Sequence, residues 1–245
     1  MLKILSYPIT IIFFFFFGLT LVVFHPIQWI CLNVFGRKAH DASVAYLNWF
    51  LMRSTNILGT TYSFNNPHHL PTDRPLILVA NHQSMYDIPP ISYHMRKHPT
   101  RFVSKTELGK GIPSVSYNLR HSGAALINRK DAKQALAEIA RLGKLIEKEN
   151  SCAVIFPEGT RSRTGHPRKF QPTGLKVLLK KAPSALIVPV SINNSWKLLR
   201  YGQFPMGLGS RMTYHVHQPI ENKGDADTLI AQIEEKVTSG ITEFK

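Results

Sequence analysis

The sequence predicts an α/β fold: a largely parallel sheet covered by helices, with an N-terminal hydrophobic membrane helix or helical hairpin in front of it. Three observations carry this expectation. Short apolar runs alternate with amphipathic stretches from residue 42 onward, the pattern of strands joined by crossover helices. Met1 to Phe35 holds one long apolar block, whereas the remainder has the polarity of a soluble protein. The length, 245 residues, suffices for one such domain with a complete core. The expected division is a membrane-anchoring segment over 1–40 and a single domain over 41–245.

Pro8 to Phe24 is almost purely apolar and contains five consecutive phenylalanines, Phe13 to Phe17. Extended back to Ile4 it reaches about 20 residues, the length that spans a bilayer. His25-Pro26 is expected to break it, because proline lacks a backbone N–H and clashes with the turn before it. A second apolar piece, Ile27 to Phe35, follows, with Trp29 suited to the lipid–water interface. The two pieces can also form a hairpin that enters one leaflet and returns. A cleavable signal peptide fits poorly, since only Lys3 forms a basic start and no small-residue cleavage site follows. A buried core helix fits poorly too, because five adjacent phenylalanines point in all directions. Arg37, Lys38 and His40 favour a cytoplasmic side for the rest of the chain.

Ala42 to Leu58 reads as a helix, with Tyr46, Trp49 and Phe50 on neighbouring turns. Leu76–Ala80 is a continuous apolar run, the mark of a buried strand, and a helix is expected near Asp87–Arg96. Arg101–Ser104 is a short strand, Ile112–Arg120 a turn or helix opened by Pro113, and Ala124–Ile127 a strand. Asp131 to Asn150 is the clearest amphipathic helix. Leu136, Ile139, Ala140, Gly143 and Ile146 form its apolar stripe, and Asp131 suits its N-cap. Strands at Ala153–Phe156, Ala185–Ile192 and Arg211–His217, with helices at Thr173–Lys181 and Asp225–Phe244, complete the alternation.

Lys and Arg total 30 against 15 Asp and Glu, a net charge of +15. Such an excess calls for an anionic partner: nucleic acid, lipid headgroups, a phosphorylated substrate or an acidic carrier. The basic run Arg161, Arg163, Arg168, Lys169 has only Phe170 beside it, too few aromatics for a single-stranded nucleic-acid platform. The hydrophobic block favours membrane lipid instead, and no nucleic-acid partner is expected. Cys31 and Cys152 lie in apolar settings without metal-ligand neighbours. Two reduced thiols fit a cytoplasmic domain, and neither a metal nor a cofactor is implied.

The candidate catalytic pair is His82 and Asp87, in Asn81-His82-Gln83-Ser84-Met85-Tyr86-Asp87, directly after the Leu76–Ala80 strand. Histidine titrates near neutrality and can take a proton from a hydroxyl, while a nearby carboxylate fixes its tautomer. The same spacing recurs at His68 and Asp73, in a proline-bracketed loop before the strand. Context decides between the copies, because clefts in open α/β sheets form past the carboxyl ends of strands. Lys105 and Glu107 follow the Arg101–Ser104 strand, Arg129 follows Ala124–Ile127, and Phe156-Pro157-Glu158-Gly159-Thr160-Arg161-Ser162 follows Ala153–Phe156. Gly159 permits close backbone approach to a ligand. Thr160 and Arg161 offer donors, and Glu158 either accepts from a substrate hydroxyl or clamps its loop. A base beside three cations, Lys105, Arg129 and Arg161, describes a site for a hydroxyl on a phosphate-bearing substrate.

Taken together, these blocks resemble the glycerolipid acyltransferases, specifically the 1-acyl-glycerol-3-phosphate acyltransferases. Asn81–Asp87 resembles that family's His-x4-Asp block, Lys105-Thr106-Glu107-Leu108 with Pro113 the segment after it, and Gly123–Arg129 the second block. Phe156–Ser162 resembles the third block and Val188-Pro189-Val190 the fourth. Leu126 departs from the Phe often found there, and the gap from Leu108 to Pro113 looks one residue longer than usual. The resemblance implies His82 as base, Asp87 as its partner, and Lys105, Arg129 and Arg161 near the substrate phosphate. Glu158 and Gly159 would shape the acceptor pocket. It further implies a lysophospholipid acceptor and acyl-CoA or acyl carrier protein as co-substrate. Ser84 is a minor alternative nucleophile. The rival classes are a membrane-anchored basic lipid- or nucleic-acid-binding module, and a serine hydrolase, for which no Gly-x-Ser-x-Gly elbow is present.

Overall fold

The computed structural model describes residues 2–242. Helices α1 (Leu2–Phe35) and α2 (Arg37–Ser54) come first, followed by β1 (Thr61–Asn65), β2 (Leu76–Ala80), α3 (Ile88–His94) and β3 (Thr100–Lys105). Then come α4 (Val115–His121), β4 (Ala125–Ile127), α5 (Ala132–Glu149), β5 (Cys152–Ile155) and α6 (Pro172–Lys181). Strands β6 (Leu186–Asn193), β7 (Arg211–Val216) and β8 (Ile220–Glu221) lead to α7 (Ala226–Ser239). The strands form one sheet in the order β1-β7-β6-β2-β5-β3-β4, with β8 also on β6. All pairs are parallel except β6 with β7 and β6 with β8. The expected largely parallel α/β sheet is therefore present.

Burial on both faces explains why the central strands read as unbroken apolar runs. In β2, Leu76, Leu78 and Ala80 face one core with Ile91 of α3, Met95 just after that helix and Phe13 from α1. Ile77 and Val79 face the other, filled by Ile139, Leu142 and Ile146 of α5, Leu175 and Leu178 of α6, and Ile230 and Ile233 of α7. Strand β1 was not expected. It lies at the sheet edge with alternating exposure, so its only signal is the short alternation of Tyr62 and Phe64 with polar neighbours. Helix α7 stops at Ser239, short of the expected Phe244. Beyond it Asn193 takes over, its amide donating to the Gly240 carbonyl (2.9 Å) and accepting from Thr242 N–H (3.0 Å). Residues 243 and 244 lie outside the described residues.

The expected break at His25-Pro26 does not occur. Helix α1 runs unbroken for 34 residues with Pro8 and Pro26 inside it. Ser114, at the start of α4, supports the turn before Pro26: its Oγ donates to the Leu21 carbonyl (2.5 Å) and its N–H to His25 Nδ1 (3.1 Å). Such side-chain support is what lets a proline stay inside an apolar helix. The chain reverses instead at Gly36, whose φ of 82° suits glycine. Helix α2 then packs back on α1 through Leu21, Phe24, Leu47 and Leu51.

Helix α1 is long and apolar enough to cross a membrane, yet it is inverted relative to a core helix. Ser6, Thr10, Phe13, Leu21, Phe24 and Gln28 form its buried stripe, at steps of three, four and eight residues along one helix face, with the partly buried Phe17 in the longest gap. Its exposed side carries Ile4, Ile11, Phe15, Val22, Trp29, Val34 and Phe35. Contacts with the domain run most of its length. Thr10 Oγ1 accepts from Met206 N–H (2.9 Å), Phe13 and Phe17 lie edge-on to Tyr86, and Asn33 donates to the Tyr117 hydroxyl (3.2 Å).

The start of α2 is tied to the sheet by charge. Arg101, only 3% exposed, binds Asp41 with both guanidinium nitrogens, at 2.8 and 2.9 Å, and Glu149 stands 3.9 Å away. Asp41→Ala would leave Arg101 buried with only that distant carboxylate and a long contact to the Thr100 carbonyl (3.5 Å). A loss of about 3–5 kcal/mol is expected from such a broken pair, measurable as a lowered unfolding midpoint in detergent. An unchanged midpoint would assign the pair no stabilising role.

Candidate active site

Four neighbouring strands, β2, β5, β3 and β4, deliver the predicted residues just past their carboxyl ends, where open parallel sheets bind ligands. His82 lies two residues beyond β2, Glu158 to Arg161 beyond β5, Lys105 at the end of β3, and Arg129 beyond β4. The sequence places them there through four strand-to-loop exits; the parallel register brings the exits to one edge.

Between His82 and Asp87 the chain forms a capped turn. Ser84 is its N-cap, with Asp87 completing a capping box. The buried Asp87 carboxylate then collects donors from the whole turn. Its Oδ2 accepts from His82 Nδ1 (2.8 Å), Gln83 N–H (2.7 Å) and Ser84 N–H (3.0 Å). Its Oδ1 accepts from the hydroxyls of Ser84, at 3.5 Å, and Ser195. Because a carboxylate can only accept, His82 carries its proton on Nδ1, which leaves Nε2 as an acceptor. The imidazole stacks on Phe156, with centroids 4.2 Å apart and planes 17° apart, and its side chain remains 15% exposed. It is thus oriented from two sides and still reachable.

Glu158 resolves toward the clamp reading. Its carboxylate accepts from His82 N–H (2.9 Å) and Arg168 N–H (3.2 Å), joining the β2 and β5 loops. The His82 carbonyl accepts from Ser162 N–H (2.7 Å) and closes the same junction. Burial raises Glu158 to about 7, against the lowering effect of those two donors. Gly159 sits at φ 68°, a left-handed turn that only glycine adopts without strain. Thr160 is exposed at the rim.

Arg129 and Arg161 come together. Burial lowers the Arg129 guanidinium from its ordinary value, the positive charge of Arg161 lowers it further, and Glu107 opposes both. Neither arginine forms an ion pair among the described residues, so two mutually repelling cations, eased only by the Glu107 charge, lie at the same sheet edge as the dyad. Lys105 reaches the same edge but is exposed, and among the described residues no contact ties it to the others.

The rival residues are used elsewhere. His68 N–H donates to Asn66 (3.2 Å), and no contact joins His68 to Asp73 among the described residues. Ser84 is fully buried as a cap, with its Oγ accepting from Tyr86 N–H (3.1 Å), so it is no nucleophile. A second serine–histidine contact, Ser191 with His217 (2.6 Å), is wired the wrong way for one. Ser191 Oγ donates to the Val237 carbonyl (2.6 Å) and so accepts from the histidine.

Sequence reasoning missed Gln83, Phe156 and Ser195. Phe156 had a signal, being the last apolar residue before the β5 loop. Ser195 had none, because it lies 108 residues from the carboxylate it binds.

The family model for acyltransferases matches residues 62–193, more than half of the chain. The chain belongs to the acyltransferase family. The matched stretch runs from β1 to the last residue of β6 and contains every predicted site residue. Among this member's relatives is a 1-acyl-sn-glycerol-3-phosphate acyltransferase of Chlamydomonas reinhardtii, 29% identical over 70% of this chain and 50% of the relative. A protein of the same description from Helicobacter pylori is 37% identical over 51% of this chain and 54% of the relative. The matches thus span about half the length of these relatives. The crystal structure of the 1-acyl-sn-glycerophosphate (LPA) acyltransferase from Thermotoga maritima matches with a TM-score of 0.78 at 27% identity. That match covers 98% of this chain and 96% of the other, so the α1–α2 pair belongs to the shared architecture.

Proposed function

We propose that this protein transfers a fatty acyl group from a thioester donor, acyl-CoA or acyl carrier protein, to the free hydroxyl of a 1-acyl-glycerol-3-phosphate, giving phosphatidic acid. The supporting observation is the dyad itself: Nδ1 of His82 is held by Asp87, and Nε2 is left to accept a proton, at the sheet edge that also carries Arg129 and Arg161. His82 Nε2 takes the hydroxyl proton as the oxygen attacks the thioester carbonyl. The tetrahedral intermediate collapses with cleavage of the carbon–sulfur bond, and the imidazolium returns the proton to the departing sulfur. Asp87 steadies the imidazolium throughout. Arg129 and Arg161 hold the acceptor phosphate, a role suited to planar guanidinium donors.

The apolar face of α1 sits in the bilayer in this reading. Contacts with the domain extend from Thr10 to Asn33, about 35 Å of helix, so α1 lies along the domain and enters one leaflet instead of crossing both. The basic residues after it, Arg37 and Lys38, favour a cytoplasmic placement of the domain.

Full-length protein in mixed micelles, given labelled acyl-CoA or acyl carrier protein and 1-acyl-glycerol-3-phosphate, is expected to yield labelled phosphatidic acid. Release of free fatty acid without a diacyl product would replace the proposal with a hydrolase, and binding without turnover with a lipid-binding module. Arg129→Ala and Arg161→Ala are each expected to raise the acceptor KM about tenfold with little change in kcat, because a phosphate contact is present in ground and transition states alike. A selective loss of donor affinity would take the phosphate role away from them.

A further inference from the structure

The segment that ends β6 is bolted to the His82 turn at three points. Asn81 extends the β2–β6 ladder with its side chain: its amide donates to the Ile192 carbonyl (2.8 Å) and accepts from Ile192 N–H (2.7 Å). Gln83 Oε1 accepts from Ser195 N–H (3.0 Å). The third point is the Ser195 hydroxyl on Asp87 Oδ1. Asn81, Gln83, Asp87 and Ser195 are all buried, Ser195 and Asp87 completely. Nothing in the matched stretch points to Ser195, which lies beyond its last residue, Asn193.

We propose that Ser195 is a positioning residue for the His82–Asp87 pair: its hydroxyl holds Asp87 Oδ1, so that Oδ2 stays aimed at His82 Nδ1. This rests on the reading of His82 as the general base. The two carboxylate oxygens are served unequally. Oδ2 has three donors, the His82 imidazole and the backbone N–H groups of Gln83 and Ser84, which anchor that oxygen but leave the carboxylate plane to be set through Oδ1. Among the described residues Oδ1 has two donors, both hydroxyls. Ser84 is at 3.5 Å, the long limit of a hydrogen bond, which leaves Ser195 as the close donor. The other polar groups near the Asp87 charge are committed elsewhere. Tyr62 bonds Thr55, the Tyr214 hydroxyl donates to the Tyr86 carbonyl (3.4 Å), and Glu158 takes the His82 and Arg168 N–H groups. Without Ser195 the carboxylate is held closely through Oδ2 alone and can tilt about that oxygen, so the Nδ1 contact loses its fixed direction.

The test compares full-length wild type, Ser195→Ala, Ser195→Thr and His82→Ala. In Ser195→Ala, kcat is expected to fall about 10–100-fold, the scale of one hydrogen bond to a charged group, with the acceptor KM little changed. Ser195→Thr restores a hydroxyl and is expected to recover most of the loss. The resonance of the His82 Nδ1 proton, in protein labelled at histidine nitrogens, is expected to shift or broaden in Ser195→Ala and to return in Ser195→Thr. Should Ser195→Ala not fold, Ser195→Cys keeps the packing with a weaker donor and is expected to show the same loss and shift. Full activity in Ser195→Ala, or reduced activity with an unmoved resonance, overturns the proposal while His82 keeps its role. Undiminished turnover in His82→Ala overturns the base and the proposal with it.

Discussion

Replacing His82 with alanine is expected to lower acyl transfer by about 10²–10⁴-fold, the usual contribution of a general base, without unfolding the protein. The local structure does not need the imidazole. The two bonds that join the β2 and β5 loops here, to Glu158 and from Ser162, run through the His82 backbone and survive the substitution. Asp87 keeps its two backbone donors. Initial rates at saturating acceptor, with the unfolding midpoint as control, check the expectation. His68→Ala should keep wild-type rates, since His68 makes no contact with Asp73 among the described residues. Near-normal turnover in His82→Ala would end the proposed mechanism, and a large loss in His68→Ala would move the search to the loop before β2.

Phe13→Ala and Phe15→Ala are expected to separate the two jobs of the phenylalanine run. Phe13 is fully buried and meets Tyr86, the neighbour of Asp87. Its truncation leaves a cavity in the core and should cost about 3–5 kcal/mol, seen as a large drop in the unfolding midpoint in detergent. Phe15 is 65% exposed, so its truncation should leave the midpoint within about 0.5 kcal/mol. It should instead weaken partitioning into vesicles, because apolar area that meets lipid is what holds the helix there. Equal destabilisation by both would mean that the run is a plain core helix. No effect of Phe13→Ala would detach α1 from the domain.

The same contrast shows what the sequence could and could not express. The central strands were readable because burial on both faces leaves nothing but apolar residues, as in Leu76–Ala80. The site loops were readable because each chemical side chain follows directly on such a strand. Strand β1 escaped because an edge strand with one wet face carries half the signal. The corner at Gly36 escaped because proline is the louder local cue, and the support that lets Pro26 stay helical comes from Ser114, 93 residues away from the carbonyl it binds. Within Phe13–Phe17, identical side chains take opposite environments, and only the packed helix decides which face is inside. Ser195 is the extreme case: a common residue type made important by a contact that no local pattern records.

The bonds at Thr10 and Asn33 have a consequence for the membrane itself. They hold both halves of α1 to one domain, so on the proposed one-leaflet reading the catalytic edge would serve a single lipid surface and never meet the opposite one. Every molecule of phosphatidic acid made this way would be added to the same monolayer. That monolayer would gain area while its partner gained none, and the imbalance would bend or stress the sheet. Growth of a flat bilayer would then depend on a separate activity that carries lipid across, at a rate matched to this enzyme.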